Sequence, residues 1–391
     1  MTDHPREKTP PHQQESLDRH DSSDPGQLRL IDAVGNRLEE ALRVIEDQLR
    51  FRYRLHAAPR AWRELRHEAS QLRRAWGGDR SLGLHRDVAH DPGNPQITTA
   101  SPGHTDARSV LQANLARARE AIRSLEEEFR VHDPAVGRSL ERLRYRIYAE
   151  ESAALGILER GDRLRDARLY VLITSALANG TAEEVTSAAV DGGAQIIQLR
   201  EKSMPGRELL ALAERCRAIT AAAGALLIIN DDVTIATLCG ADGVHLGQED
   251  ILPVAARRVL GPQAIIGLST HAPREATRAA IEGADYIGVG PIFPTDTKKH
   301  RAEVGLSYIS QAAEATDLPG FAIGNVCRET IDAVLAAGAR RIAICTGVIA
   351  QDDVRAATQF YRDKLAEADS VLTNEGRNRS PAVDPTPTAE A

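Results

Sequence analysis

The sequence GVGPIFPTDTKK (residues 288–299) begins as an apolar strand and changes at Gly290-Pro291 into a loop that carries two threonines and two lysines. Hydroxyl and ammonium groups at the C-terminal end of a strand supply donors and positive charge on a fixed platform, as a phosphorylated ligand requires. Taken alone, the stretch also fits an ordinary polar loop. Its interpretation therefore depends on whether similar strand endings recur in the chain.

Such endings do recur, because short β-rich runs alternate with amphipathic helices after about residue 167. The predicted strands cover residues 169–173, 196–200, 226–231, 243–246, 265–269, 286–290, 321–323 and 341–345. Glycines before strands two, four, six and eight are predicted to end the preceding helices: they are Gly193, Gly240, Gly283 and Gly338. Eight βα units in about 200 residues, with near-continuously apolar strands, predict an α/β fold of the (β/α)8 TIM-barrel class. A doubly wound open sheet is the alternative.

The residues before this point follow a helical period throughout. Apolar residues recur at three- and four-residue steps in residues 28–55, 59–76, 107–131 and 134–160. Asp106 and Asp133 have the residue type and position of helix N-caps. The pattern predicts an all-α helical-bundle domain ahead of the barrel.

An internal repeat lies within this helical domain. RLEEALRVIEDQLR (37–50) aligns with RAREAIRSLEEEFR (117–130) at an offset of 80 residues. The identical pairs are Arg37/Arg117, Glu40/Glu120, Ala41/Ala121, Arg43/Arg123, Glu46/Glu126 and Arg50/Arg130. Two similar helices predict a pseudo-symmetric four-helix arrangement built by duplication.

Composition and polarity predict the bounds of the tails and domains and bear on the kind of partner. The first residues and the last are polar and poor in large apolar side chains, so we expect disordered tails at 1–26 and 370–391. The helical domain is predicted at 27–165 and the barrel at 167–369. A net charge of −7 and an aromatic content of 4% give no support for nucleic-acid binding.

Cysteine usage and hydropathy indicate the compartment. No apolar run reaches the roughly 18 residues of a membrane helix, and the first residues carry no hydrophobic signal region. The four cysteines form no CxxC pair and are expected to be buried free thiols. We therefore expect a cytoplasmic protein that acts on small molecules, with no nucleic-acid or membrane partner. A homo-oligomer is left open.

In a barrel, function gathers at the C-terminal ends of the strands. Arg200, Lys202 and Lys298 provide positive charge at these ends, and Asp231 and Asp250 provide the hard oxygen ligands that suit Mg²⁺. Cations and a metal together indicate a diphosphate leaving group. The loops after strands seven and eight are where barrels often hold a monophosphate. Two phosphorylated substrates are therefore expected, although either aspartate alone also fits a helix N-cap.

In this order and spacing, QLREK, IND, GVHLGQED, GLSTH, GPIFPTDTK and AIGN resemble the motifs of the thiamine-phosphate synthase family, over roughly residues 169–365. The resemblance implies a transferase that couples 4-amino-2-methyl-5-(diphosphooxymethyl)pyrimidine to 4-methyl-5-(2-phosphoethyl)thiazole, or its carboxylated tautomer, and releases pyrophosphate. It implies catalytic roles for Lys298, Arg200 and Lys202, and Mg²⁺ as the cofactor at Asp231 and Asp250. The implied substrate-binding residues are Gln198, Leu199, Arg200, Glu201, Lys202, Asn230, Ser269, Thr295, Asp296, Thr297, Lys298, Gly324, Asn325 and Thr346.

Two positions depart from the family's pattern. Asn325 stands where the family usually has a second glycine, and Thr346 stands where it often has serine. Asparagine tolerates left-handed backbone angles, and threonine keeps the hydroxyl. We expect a changed affinity for the thiazole phosphate with activity retained. A thiazole tautomerase-like barrel and a non-catalytic scaffold are the rival interpretations, and the complete set of charged residues argues against both.

The helical domain also carries a resemblance. NRLEEALRVIEDQLRF and HRDVAHDPG resemble the helical module fused ahead of some thiamine-phosphate synthases, which implies phosphorylation of hydroxymethylpyrimidine phosphate. His85, Arg86, Asp87 and Asp91 are candidate phosphate or metal contacts in the long connection between helices. The chain has no GxxxxGK[ST] P-loop. A non-catalytic dimerisation domain is the alternative.

Overall fold

In a computed structural model, which describes residues 25–53, 55, 58–83, 103–294 and 303–378, the chain divides into two units, Met1–Leu155 and Gly156–Ala391. The division falls earlier than the boundary predicted near residue 165, and it lies inside a helix. The predicted N-terminal tail lies almost wholly outside the described residues. Near the other end a helix continues to Asn378, past residue 370 where we expected order to end.

The first unit is helical, as predicted. Its helices are α1 (Pro25–Asp47), extended by a π-helical turn (Gln48–Arg52), α2 (Ala58–Gly83), α3 (Ala107–His132) and α4 (Pro134–Arg165), which runs on into the second unit. The Asp106 carboxylate accepts from the Ser109 N–H at 2.7 Å, and the Ser109 hydroxyl accepts from the Asp106 N–H at 3.2 Å. This reciprocal capping satisfies two otherwise unpaired donors and fixes the start of α3.

The repeated glutamates are buried in matching positions. On α1, Glu46 accepts from Arg63 at 2.8 Å and from Arg66 at 3.1 Å. Burial alone would raise the pKa of Glu46, but the hydrogen bonds from the two arginines outweigh it and lower the pKa below its ordinary value. Its counterpart on α3, Glu126, is fully buried and accepts from Arg144 at 2.5 Å. The duplication is thus visible in the packing.

The second unit is a closed barrel of eight parallel strands, which confirms the predicted fold class. The strands are β1 (Leu169–Ile173), β2 (Ile196–Leu199), β3 (Leu226–Asn230), β4 (Gly243–Leu246), β5 (Ile265–Thr270), β6 (Tyr286–Val289), β7 (Gly320–Ala322) and β8 (Ile342–Ile344). The first strand pairs with the last, with Leu169 opposite Ile342. That pairing excludes the doubly wound open sheet.

Helices follow the strands around the barrel. They are α5 (Ala182–Asp191), α6 (Gly206–Ala223), α7 (Val233–Leu238), α8 (Pro253–Leu260), α9 (Pro273–Ile281), α10 (Ser307–Ala315), α11 (Ile331–Ala336), α12 (Thr346–Ile349) and α13 (Val354–Asn378). The glycines expected to end helices have φ values of +102°, +62°, +87° and +102° at Gly193, Gly240, Gly283 and Gly338. This left-handed conformation strains residues with a Cβ, so glycine stops each helix.

Alternating side chains divide the barrel core into two layers. In β1, Val171 and Ile173 belong to the layer between strands and helices, while Tyr170 and Leu172 point into the barrel interior. This period of two decides which residues can face a ligand, because only inward side chains near the strands' C-terminal ends reach the mouth of the barrel. In the part of the chain that the structure describes, no helix has the length and apolarity to span a membrane.

Candidate active site

A cavity of about 410 Å³ opens at the C-terminal ends of the strands. Seven residues that the sequence singled out line it: Gln198, Arg200, Asn230, Ser269, Gly324, Asn325 and Thr346. They come from the ends of five strands that are far apart in sequence. Closure of the barrel brings them to one mouth, as expected for parallel strands.

The interior of the barrel below the polar residues is aromatic. The rings of Tyr170, Tyr286 and Phe321 meet edge to face, with centroids 5.4 to 5.9 Å apart. All three are almost fully buried and line the cavity. They form a rigid apolar floor suited to a flat ring.

A chain of hydrogen bonds crosses this floor. The Gln198 Nε2 donates to the Tyr170 hydroxyl at 2.6 Å, and the two tyrosine oxygens lie 2.9 Å apart. The Tyr286 oxygen lies 3.1 Å from Nδ1 of His245, whose Nε2 lies 2.9 Å from the Ser269 hydroxyl. In the His245 tautomer that carries its proton on Nε2, the groups donate in one direction, from the Gln198 amide through Tyr170, Tyr286 and His245 to the Ser269 hydroxyl. The chain leaves the Gln198 carbonyl as an acceptor and the Ser269 hydroxyl as a donor.

Glycine at position 267 makes room for this chain. A Cβ there would lie 2.1 Å from Cζ of Tyr286 and 2.5 Å from Nδ1 of His245. Tyr286 is fully buried and bonded to Tyr170 and His245, so neither Tyr286 nor His245 can retreat without breaking the chain. Burial raises the pKa of both tyrosines and keeps their hydroxyls protonated. Gly267 is therefore required by close packing.

Arg200 brings a positive charge into the cavity although it is only 8% exposed. Its backbone is held on both sides: its N–H donates to the Ile173 carbonyl at 2.8 Å, and its carbonyl accepts from the Thr174 hydroxyl at 3.0 Å. Burial raises the pKa of the neighbouring Cys345 thiol, and the Arg200 charge only partly opposes this. The guanidinium makes no hydrogen bond or ion pair within the described residues, so its donors are available for an anion.

The two predicted metal-binding carboxylates come together beside the cavity. Burial raises the pKa of Asp231, the Asp250 carboxylate raises it further, and Lys202 opposes both at 3.5 Å. The backbone of Asp231 is left-handed, with φ at +61°, and its N–H donates to the His245 carbonyl at 2.9 Å. Two carboxylates that repel each other suit a hard divalent cation. Among the described residues no group of three His, Cys, Asp or Glu side chains forms a metal site.

The loops after β6 and β7 lie against each other at the rim. The Ile292 N–H donates to the Ile323 carbonyl at 2.8 Å, and a Cβ on Gly324 would lie 2.5 Å from Cα of Pro291. Gly324 and Asn325 both have positive φ, at +105° and +50°. Asparagine thus occupies the left-handed conformation that its residue type was expected to tolerate. Thr346 begins the short helix α12 across the mouth.

The remaining predicted residues are placed differently. Leu199 points outward into the layer between strands and helices, because it is one residue out of phase with Gln198 and Arg200. Glu201 accepts from the Ser175 N–H and hydroxyl, both at 2.6 Å, and so anchors the loop after β1. Thr295, Asp296, Thr297 and Lys298 lie outside the described residues, as do His85, Arg86, Asp87 and Asp91.

The sequence interpretation missed several residues of the cavity. The most important are Tyr170, His245 and Tyr286, which form the hydrogen-bond chain. Period-two alternation offered a usable signal, because His245 is out of phase with the apolar Val244 and Leu246, which point outward into the layer between strands and helices. Cys345, expected only as a buried thiol, also lines the cavity.

A closed eight-stranded barrel with amide, hydroxyl and guanidinium groups gathered at its C-terminal mouth defines a (β/α)8-barrel enzyme. The family model described as thiamine monophosphate synthase matches residues 169–348, and the one described as the ThiD2 family matches residues 29–153. A thiamine-phosphate synthase of Gloeobacter violaceus is 41% identical over 343 residues, which cover 86% of this chain and 96% of the relative. A thiamine-phosphate synthase of Synechocystis sp. is 40% identical over 342 residues, which also cover 86% of this chain and 96% of the relative.

A solved structure of a thiamine phosphate pyrophosphorylase from Pyrococcus furiosus is 35% identical, covering 52% of this chain and 96% of its own, with a TM-score of 0.48. The full-length relatives show that the chain belongs to the thiamine-phosphate synthase family. It is a transferase. The ThiD2 match covers the helical module whose resemblance the sequence indicated.

Proposed function

We propose that the barrel condenses 4-amino-2-methyl-5-(diphosphooxymethyl)pyrimidine with 4-methyl-5-(2-phosphoethyl)thiazole, or its carboxylated tautomer, to give thiamine phosphate and pyrophosphate, together with CO2 when the carboxylated form reacts. One observation carries the proposal: Gln198, Arg200, Asn230 and Ser269 line a single cavity with an aromatic floor. Such a cavity matches a flat polar ring that bears an anionic group. The names of the relatives support the same reaction.

The polarity of the hydrogen-bond chain matches an aminopyrimidine. The Gln198 carbonyl would accept from the exocyclic amino group, and the Ser269 hydroxyl would donate to a ring nitrogen. The ring would lie on the floor formed by Tyr170, Tyr286 and Phe321. Arg200 would then face the diphosphate with its planar fork of donors.

Asp231 and Asp250 would hold Mg²⁺, because their mutual repulsion is the arrangement that a divalent cation relieves. When bound, the ion would neutralise charge on the diphosphate. Lys202, which lies 3.5 Å from Asp231, would contribute positive charge to the same region. Thr295, Thr297 and Lys298 are assigned to the adjoining loop from the sequence alone.

The chemical step then needs no strong base. The aminopyrimidine ring shares positive charge with its exocyclic methylene, so the carbon–oxygen bond breaks first and its electron pair leaves with pyrophosphate. The lone pair of the thiazole nitrogen then forms the carbon–nitrogen bond. The protein's part is to stabilise the departing anion with Arg200, Lys202 and Lys298, and to hold the nucleophile close. Gly324, Asn325 and Thr346 would hold the thiazole phosphate.

The direct test supplies the chain with the preformed pyrimidine diphosphate, the thiazole phosphate and Mg²⁺. We expect thiamine phosphate and pyrophosphate in equal amounts, and loss of both products when Mg²⁺ is chelated. Absence of thiamine phosphate with all three components present would leave the non-catalytic scaffold as the better interpretation. Activity unaffected by chelation would remove the metal from the proposal.

Replacement of Lys298 by alanine is expected to cost about 2–4 kcal/mol in the chemical step, the range for losing one preorganised donor to a developing anion. Single-turnover measurement with preformed diphosphate isolates that step. The neighbouring Lys299→Ala is the matched control, because Lys299 has no assigned role, and it should keep near-wild-type turnover. A Lys298→Ala enzyme with wild-type turnover would exclude Lys298 from the mechanism.

Replacement of Tyr170 by phenylalanine breaks the hydrogen-bond chain without changing the apolar floor. We expect KM for the pyrimidine diphosphate to rise about tenfold, in keeping with about 1–2 kcal/mol for a lost buried hydrogen bond, while KM for the thiazole phosphate stays unchanged. Tyr361→Phe is the control, because the buried Tyr361 hydroxyl has no hydrogen-bond partner among the described residues. Equal changes in both KM values would show a general loss of structure instead.

For the helical unit we propose phosphorylation of hydroxymethylpyrimidine phosphate, the step that supplies the barrel's diphosphate substrate. The ThiD2 match supports this assignment. The test gives the intact chain the pyrimidine monophosphate, ATP, the thiazole phosphate and Mg²⁺. Formation of thiamine phosphate and ADP would support both assignments, whereas product only from preformed diphosphate would favour the structural alternative.

A further inference from the structure

A second cavity, of about 490 Å³, lies between α1 and α3 in the helical unit. Five residues from each helix line it. The internal repeat relates each of the five on α1 to one of the five on α3, which gives five pairs. The pairs are Val34/Asn114, Arg37/Arg117, Glu40/Glu120, Ala41/Ala121 and Val44/Ser124. We call this cavity the repeat cleft.

Equivalent faces of two equivalent helices therefore face each other. Such a same-face contact places an approximate twofold axis between the helices, and the repeat cleft lies on it. One guanidinium and one carboxylate reach the cleft from each helix, at a spacing of three residues that puts them on one helix face. The arrangement concentrates two positive and two negative groups around one space.

The two halves of the cleft differ at their ends. The α1 half has Val34 and Val44, whereas the α3 half has Asn114 and Ser124. Asn114 is buried, and its amide donates to the Val110 carbonyl at 2.8 Å. A symmetric set of charges combined with one apolar and one polar half suits an asymmetric small molecule.

Among the described residues, the charged side chains of the repeat cleft form no ion pair between α1 and α3. Arg37, Glu40 and Glu120 make no hydrogen bond or ion pair within the described residues, although Arg37 and Glu40 have the spacing of a helical ion pair. Arg43 on the same helix does pair, with Asp47 at 3.4 Å. Arg117 makes one hydrogen bond among the described residues, from its Nη1 to the Asn114 Oδ1 in its own helix at 3.4 Å. The charged side chains of the cleft are exposed and are thus available to a ligand.

We propose that the repeat cleft binds an aminopyrimidine phosphate monoester, with the phosphate between Arg37 and Arg117. Two guanidinium forks offer the bidentate donors that select phosphate, and Glu40 or Glu120 accepts from the ring amino group. A cavity of this size accommodates such a molecule. The proposal rests on the phosphorylation proposed for this unit, and it assigns the place where that substrate binds.

The test is calorimetric titration of the full chain with hydroxymethylpyrimidine phosphate, inorganic phosphate and unphosphorylated hydroxymethylpyrimidine, without ATP. An Arg200→Ala background reduces any contribution from the barrel. We expect Arg37→Ala and Arg117→Ala each to weaken binding of the monoester about tenfold or more, the usual effect of losing a hydrogen bond to a charged group. Arg37→Lys, which keeps the charge without the fork, should be intermediate. Arg43→Ala is the matched control and should stay within about twofold.

The possible results distinguish the proposed binding site in the repeat cleft from the proposed kinase activity of the helical unit. Binding that the cleft variants weaken, without transfer from ATP, would support the site and overturn the kinase assignment. Phosphate transfer with unchanged binding in Arg37→Ala and Arg117→Ala would overturn the site alone. Light scattering tests a second copy of the chain as the occupant: a change of oligomeric state in the variants, with monoester binding unaltered, would also overturn the proposal.

Discussion

Replacement of Arg200 by alanine should lower the rate of thiamine phosphate formation from preformed diphosphate by about three orders of magnitude, or about 4 kcal/mol, the upper end of the range for losing one preorganised donor to a developing anion. We expect the upper end of this energy range because the Arg200 side chain is buried. Arg200 is only 8% exposed, so little water reaches its side chain to replace its donors at the departing pyrophosphate.

Two variants give this prediction its controls. Arg200→Lys keeps the charge but loses the planar fork, and we expect an intermediate rate. Arg215→Ala removes an arginine that pairs with Glu183 on the exposed outer side of the barrel, and it should leave the rate near wild type. The measurement is a single-turnover rate at saturating substrate. A rate for Arg200→Ala within about tenfold of wild type, which corresponds to only about 1.4 kcal/mol, would contradict the assigned role.

Replacement of Glu126 by alanine should lower the free energy of unfolding of the helical unit by about 3–5 kcal/mol, the cost of leaving a buried charge without its partner. Glu126 is fully buried and binds Arg144 at 2.5 Å, Arg130 at 2.7 Å and Arg123 at 3.1 Å. Arg144 is itself buried, and its hydrogen bond with Glu126 is the main cause of its raised pKa. Loss of the carboxylate leaves that guanidinium desolvated.

The internal repeat supplies the comparison. Glu46 has the same position on α1, but its less exposed partner, Arg66, has a side chain 19% exposed against 11% for Arg144, and its other partner, Arg63, is 47% exposed. Water can therefore solvate these arginines more readily once the glutamate is gone. Glu46→Ala should therefore cost less than Glu126→Ala. Fluorescence during denaturant unfolding reports on this unit, because both tryptophans lie at positions 62 and 76. Equal losses for the two variants would contradict the argument from burial.

We expect acid to lower the free energy of unfolding of the helical unit, because Glu46 becomes protonated and loses its interaction with the arginines. Its folded-state pKa lies below the unfolded value, so its contribution is present above the unfolded pKa and is lost as the pH falls through the folded pKa.

The sequence predicted the barrel because each of its signals is local. Strand period, apolar runs and the glycines that stop helices, such as Gly193 and Gly338, act over a few residues and need no knowledge of the partners. The same period placed Gln198 and Arg200 on one side of β2, and the structure has both in the cavity. We did not predict from the sequence that Leu199 lies outside the cavity. Its position between Gln198 and Arg200 nevertheless indicates this, because alternate side chains of a strand point to opposite sides.

What the tertiary structure alone decided is which distant groups meet. The bond between Tyr170 and Tyr286 joins the first and sixth strands, and His245 and Ser269 complete the chain from the fourth and fifth. No spacing in the sequence specifies such contacts, because they depend on the register and closure of all eight strands. Likewise, duplication was readable in the sequence, but the packing of α1 on α3 was needed to place Arg37 and Arg117 around one cleft. Residue types and their phase are local properties, whereas their convergence results from long-range packing.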